Sequence, residues 1–270
     1  MCYIVSIPKR KKAHFMQAFL QWTAWEMEKP ASYGAFHLVA TAVLLLLTIL
    51  LAWRLRNTNE KQNRLVLGVV GGVLLASEVY KILFHIYVDP YGWGFWGTFP
   101  YQLCSVPMYL CIFCALCKSK KVNAWLYEFM FAINMFGGIM AFIEPSGINH
   151  SYWTLTLHAY IWHMMLIFVG LYLYLSKRVC CNKRDYAKGI AVFAGACALA
   201  QMLNVIFAGK INCFYISPYV ISPLAVFTDI YAACGWVVNM VLWAIALVIA
   251  SALVYYIGYL FRTKNKVKCA

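Results

Sequence analysis

Seven long apolar runs alternate with short polar stretches along the chain, at approximately 34–54, 65–88, 99–117, 124–143, 154–175, 187–208 and 233–261. Each meets or approaches the ~20 mainly apolar residues that a helix needs to cross roughly 30 Å of hydrocarbon. Their ends carry interfacial anchors, as at Trp53-Arg54 and between Tyr174 and Arg178. The pattern predicts an all-α integral membrane protein, a seven-transmembrane helix bundle over residues 34–261. A tail of residues 1–33 precedes it and a basic tail of residues 262–270 follows. No internal repeat or soluble domain interrupts the pattern.

Composition agrees. Hydrophobic residues make up 64% of the chain and charged ones 12%, far from the near-even apolar share and quarter charged content of a soluble domain. The net charge of +14 would suggest nucleic acid as partner in a soluble protein. Here Lys and Arg fall between apolar runs, so membrane phospholipids, not nucleic acid, are the expected counter-charge. They gather after the first, third, fifth and seventh runs, at Arg54 to Arg64, Lys118 to Lys121, Lys177 to Lys188 and Arg262 to Lys268. By the positive-inside rule this puts the C-terminus in the cytoplasm and, with seven spans, the N-terminus outside. Lys9 to Lys12 and Lys29 run against that bias. Phe15, Phe19 and Trp22, with Met16 and Leu20, repeat at helical spacing there. They predict either a helix along the membrane surface or a loosely packed tail. A cleaved signal peptide is not expected from Met1 to Lys12. The eleven cysteines lie mostly within apolar runs, where a thiol packs as a small hydrophobe, and no disulfide network is expected.

Polar groups inside spans are costly and mark candidate sites. Glu78, Lys81 and His85 share one face of the second span, as an ion pair that satisfies itself or as a polar path. Cys104 opens the third span after Thr98-Phe99-Pro100-Tyr101-Gln102-Leu103, and a thiol at a helix start is activated by the helix dipole. Pro107 removes the helical bond to Leu103 O, leaving that carbonyl for another partner. Cys111, Cys114 and Cys117 have iron–sulfur spacing but lie in an apolar helix, so packing is the expectation and neither metal nor cofactor is implied. His158 and His163 are about 140° apart on their helix, which predicts that they do not share one site. Glu144 ends the fourth span beside Pro145-Ser146-Gly147, where water reaches it. The topology gathers His85, Cys104, Glu144 and His158 in the outer half of the bilayer, with the loop from Lys210 to Pro218 as a cap. Asn149-His150-Ser151 is a glycosylation sequon on that side.

Four segments in order carry a resemblance: Phe36-His37-Leu38, Phe99-Pro100-Tyr101-Gln102-Leu103-Cys104-Ser105, Ile161-Trp162-His163-Met164, and Asn212-Cys213-Phe214-Tyr215 followed by Pro218. Over residues 34–245 the chain resembles the YwaF-type integral membrane family. Its bacterial members imply a bacterial plasma membrane, and its eukaryotic relatives are regarded as lipid acyltransferases. The resemblance implies Cys104 as nucleophile and His163 as base, although depth alone favours His158. In an enzyme of this kind His37, Glu78, Lys81, His85, Gln102, His158 and Asn212 are the candidate substrate-binding or supporting residues, with Gln102 or Asn212 as oxyanion donor. Gln102 stands where a His is common and Cys213 where a Tyr is common.

Two functions follow. In the first, Cys104 and His163 transfer phospholipid acyl chains through an acyl-thioester. In the second, a small transporter or sensor uses Glu78, Lys81 and His85 as its polar path.

Overall fold

The computed structural model describes residues 9–88 and 94–264. These form α1 (Lys9–Trp22), α2 (Ala35–Arg54), α3 (Glu60–Tyr87), α4 (Leu103–Leu116), α5 (Lys120–Ile143), α6 (Trp153–Leu175), α7 (Lys183–Ile206) and α8 (Ala225–Lys264). A single helical turn, Gly94–Gly97, precedes α4.

Six of these helices are long and apolar enough to cross a bilayer: α2, α3, α5, α6, α7 and α8. The third expected span differs. Its helix covers only Leu103–Leu116, about 21 Å at 1.5 Å per residue, and residues 98–102 ahead of it are non-helical. The run of apolar residues is continuous there, so hydropathy carries no sign of the break. α8 deviates in the opposite sense. Forty helical residues would reach about 60 Å, twice the hydrocarbon thickness, and the helix breaks at Gly235, with φ 79° and ψ 172°, a conformation open to glycine alone.

α5 and α6 are the centre of the bundle. In each, 61% of the most apolar window is buried, against 17% in α2 and α8. The outward side chains of α2, such as Leu46, Leu47 and Leu50, are exposed apolar groups suited to lipid. α2 packs on α6, α3 on α4, and α5 on both α6 and α7. Local sequence fixes where α3 begins: Asn59 and Gln62 exchange side-chain-to-backbone bonds of 2.9 Å, a reciprocal cap.

The N-terminal tail is docked. Leu20 is buried with Phe84 and Leu155, Glu26 pairs with Tyr152 as an isolated bridge, and Met27 N and Trp153 N bond across this junction. Phe15, Phe19 and Trp22 are exposed, so of the apolar stripe only Leu20 is spent on docking and the aromatic side chains face away from the bundle. Of the basic C-terminal tail, residues 265–270 lie outside the described residues.

α3 and α4 run antiparallel in near contact. A Cβ at Gly71 would lie 2.7 Å from Ile112 Cγ1 and 2.9 Å from Ile112 N, and one at Gly68 would lie 3.3 Å from Ala115 Cβ. This register carries Cys104 to the level of Val79, between Glu78 and Lys81. Gly71→Ala must therefore push backbone from backbone, at a cost of about 1–3 kcal/mol. Gly72→Ala, with nothing within 4 Å, is expected to be neutral or stabilising by up to ~1 kcal/mol. Thermal unfolding of the two variants in the same detergent checks the contrast.

Candidate active site: a polar cavity around Cys104

The turn that carries Cys104 follows from Pro107. Leu103–Ser105 is a 3₁₀ turn leading into Val106–Leu116. Leu103 O, deprived of its α-helical partner, accepts from Val106 N and from Asn134 Nδ2 at 3.0 Å. The predicted free carbonyl thus has its donor on α5. Asn134 ends a π-helical stretch, Met130–Asn134. Such a turn inserts one residue and rotates the next side chains, a distortion often found at functional sites.

α6 supplies the opposite wall. Trp162 Nε1 donates to Cys104 O at 3.0 Å. His163 Nδ1 lies 2.8 Å from Ala159 O. A carbonyl only accepts, so Nδ1 carries the proton and Nε2 presents its lone pair. α3 completes the walls. Lys81 Nζ lies 2.8 Å from Glu78 Oε1 and 5.9 Å from the Trp162 ring centroid, within electrostatic reach of Cys104.

Between these walls lies a cavity of about 690 Å³, lined among others by Lys81, His85, Cys104, Ser105, His158 and His163. His158 and His163 therefore do reach one space, against the helical-wheel expectation. The void faces a broad arc of α6, with Leu155, Ala159 and Trp162 lining it between the two histidines.

The loop after α7 closes one end of the cavity, through Lys210, Ile211, Asn212 and Tyr215. Asn204 clamps it, accepting from Cys213 N at 2.7 Å and donating to Cys213 O at 3.1 Å. Phe214 and Tyr215 both adopt positive φ, 58° and 60°, a strained arrangement for aromatic residues. Burial pushes the Tyr215 phenol above its ordinary value, with neighbouring Cys104 adding to the effect. The Cys213 thiol is pushed up to about 12 by burial, so it stays protonated at neutral pH.

Gln102 and Asn212 border the cavity but are not free oxyanion donors. Gln102 Nε2 donates to Asn212 O at 2.9 Å and its Oε1 accepts from Phe214 N at 2.9 Å. Asn212 Nδ2 is held by Val220 O and Ile221 O, and its Oδ1 by Ser217 N. Both side chains fold the loop.

A family model described as the TMEM164 family matches residues 32–260. The chain belongs to the TMEM164 family. It is an integral membrane protein of that family, and all of the cavity's lining residues except Lys29 fall inside the matched region. No curated protein and no solved structure matches it.

Within this TMEM164-family chain, several sequence candidates stand apart from the cavity. His37 is buried at the start of α2, where its Nδ1 accepts from Tyr33 N and its ring meets Tyr160. Glu78 is buried behind Lys81, with Oε1 paired and Oε2 without a partner. Glu144 is exposed, and hydrogen bonds from Ser146 hold its carboxyl below the ordinary range. Cys111 and Cys114 are buried, Cys111 against Met130 Sδ. Asn134, Trp162 as a donor and Asn204 are not singled out by the sequence, and Tyr215 enters only as a member of the cap segment. Only the bare carbonyl at Leu103 gave a signal, and it pointed to a missing donor without naming Asn134.

The sequon is closed. Asn149 is 2% exposed, donating to Pro30 O at 3.0 Å and accepting from the Tyr160 hydroxyl at 2.9 Å. Expression in a eukaryotic secretory membrane is expected to give no glycosidase-sensitive mobility shift. Asn149→Gln is expected to lower the melting temperature, because the longer amide cannot keep both bonds.

Proposed function

We propose that this chain is a membrane-embedded thiol acyltransferase acting on phospholipid acyl chains. One observation carries the reading: His163, whose Nδ1–H is fixed on Ala159 O, lines the same cavity as Cys104. That tautomer leaves Nε2 as a proton acceptor. The likeness to YwaF-type proteins, whose eukaryotic relatives are regarded as lipid acyltransferases, supports the same pair.

In the first half-reaction Cys104 gives its proton to His163 Nε2 and attacks the ester carbonyl carbon. The C–S bond forms, the ester C–O bond breaks, and the lysophospholipid oxygen leaves with the proton from His163. In the second, an acceptor hydroxyl attacks the thioester, His163 takes its proton, and the C–S bond breaks to return the thiol. With Gln102 and Asn212 committed to the loop, the first two amides of α4, Leu103 N and Cys104 N, serve the oxyanion, since Ser105 N and Val106 N already donate to Gln102 O and Leu103 O. Lys81 stabilises the thiolate. Seven crossings, with residues 98–102 completing the third, N-terminus outside, set this chemistry in the outer half of the bilayer. Irregular backbone at that depth is tolerated where it lines a cavity.

The transport reading fares worse on packing. Met108, Cys111, Met130, Leu166 and Val169 fill the bundle core and are buried, so the polar lining of Lys81 and His85 meets an apolar plug.

In proteoliposomes containing labelled phosphatidylcholine and a lysophospholipid acceptor, Cys104→Ala is expected to abolish acyl transfer. His163→Ala should reduce it by roughly 100- to 10,000-fold. A thiol-reactive acyl mimic should label the wild type at Cys104 and neither variant. Retained transfer in the Cys104→Ala/His163→Ala double variant overturns the proposal.

A further inference from the structure

A second void of about 360 Å³ lies between α3 and α6. Val73, Leu74, Ser77 and Tyr80 form one wall, and Leu157, Ile161 and Met165 belong to the other. It shares His158 and Trp162 with the Cys104 cavity. Val73, Leu157 and Ile161 are exposed on helices of membrane-spanning length, so the groove opens sideways to lipid. Its outer end is closed by Thr23 and Tyr80, whose hydroxyls lie 2.7 Å apart.

Two features mark it as a site. Thr154 Oγ1 and His158 Nδ1 are buried without a hydrogen-bond partner, and both residues line this groove one helical turn apart. A buried polar atom left unpaired costs about 1–3 kcal/mol, and hydrocarbon provides no water to relieve it. The rest of the lining is largely apolar and carries no charged side chain among the described residues. From Thr154 to Met165 the groove follows α6 for about 16 Å. At the ~30 Å³ that liquid water allots a molecule, close to a methylene's size, its volume takes on the order of ten such groups. A ligand with a polar acceptor at the outer end and a long apolar tail directed inward fits this arrangement.

We infer that the α3–α6 groove binds an ester-linked acyl chain. The ester carbonyl accepts from Thr154 and His158, the chain runs toward Met165, and the shared wall of His158 and Trp162 sets it beside Cys104. The role of this chain in catalysis rests on the acyltransferase reading; its binding does not.

The test uses full-length protein in lipid nanodiscs with phosphatidylcholine bearing a diazirine near the end of one acyl chain. Crosslinked residues are mapped by mass spectrometry. Labelling should concentrate on Ile161 and Met165 and fall several-fold in Ser77→Phe, which fills the groove. Thr154→Val should weaken labelling by the ester-linked probe to the level given by an ether-linked analogue that lacks the carbonyl. Even labelling of all lipid-facing helices, labelling unchanged by Ser77→Phe, or equal ester and ether labelling in the wild type would each overturn the inference. Cys104→Ala separates the two readings. It should keep groove labelling while losing transfer; labelling kept with transfer also kept would sink the enzyme and leave the groove standing.

Discussion

A backbone carbonyl inside a bilayer has no water to turn to, and Pro107 deprives Leu103 O of its α-helical donor. The structure answers with Asn134 from α5 and with a 3₁₀ turn at Leu103–Ser105. Cys104 sits in the middle of that turn. Once its backbone is held this way, Cys104 O is presented to Trp162 on α6, and the next residue along α6 is His163. The π-helical stretch that ends at Asn134 belongs to the same adjustment, since it sets the register of the donor. Close contact of α3 with α4 at Gly71 then brings Lys81 to the level of the thiol.

The polar interior is one-sided. Lys29, Lys81 and Lys210 line the cavity with His85, His150, His158 and His163, and no Asp or Glu is among its described lining residues. Glu78 compensates Lys81 from behind the wall. Such a space favours a developing negative charge, whether thiolate, oxyanion or a phosphate at the mouth. Loop 207–224 covers that charge with strained aromatics held by Asn204, Gln102 and Asn212, so three polar side chains are spent on shape.

Much of the frame is legible in hydropathy. Six of the seven expected spans coincide with helices of crossing length, and the Leu103 carbonyl was found by a steric rule about proline. What escaped has physical reasons. An apolar run does not reveal whether its first residues are helical, so the short α4 was hidden. Gly235 is a single residue in a long apolar stretch, and its break matters only because the helix would otherwise be too long. The 140° rule for His158 and His163 describes directions from one axis, whereas a wide void can meet both. Gln102 and Asn212 have the right atoms for oxyanion donors, but hydrogen bonds to residues about 110 positions away or within the loop had already claimed them. The identity of an amide does not disclose its partner.

The central claim is that Cys104 carries an acyl group during turnover. Protein reconstituted with isotopically labelled phosphatidylcholine and no acceptor, quenched in acid and digested, can be read at the Cys104 peptide by mass spectrometry. The account predicts a labelled acyl adduct on Cys104 that neutral hydroxylamine removes and added lysophospholipid discharges. An unmodified Cys104 in protein that transfers acyl chains under the same conditions would contradict it.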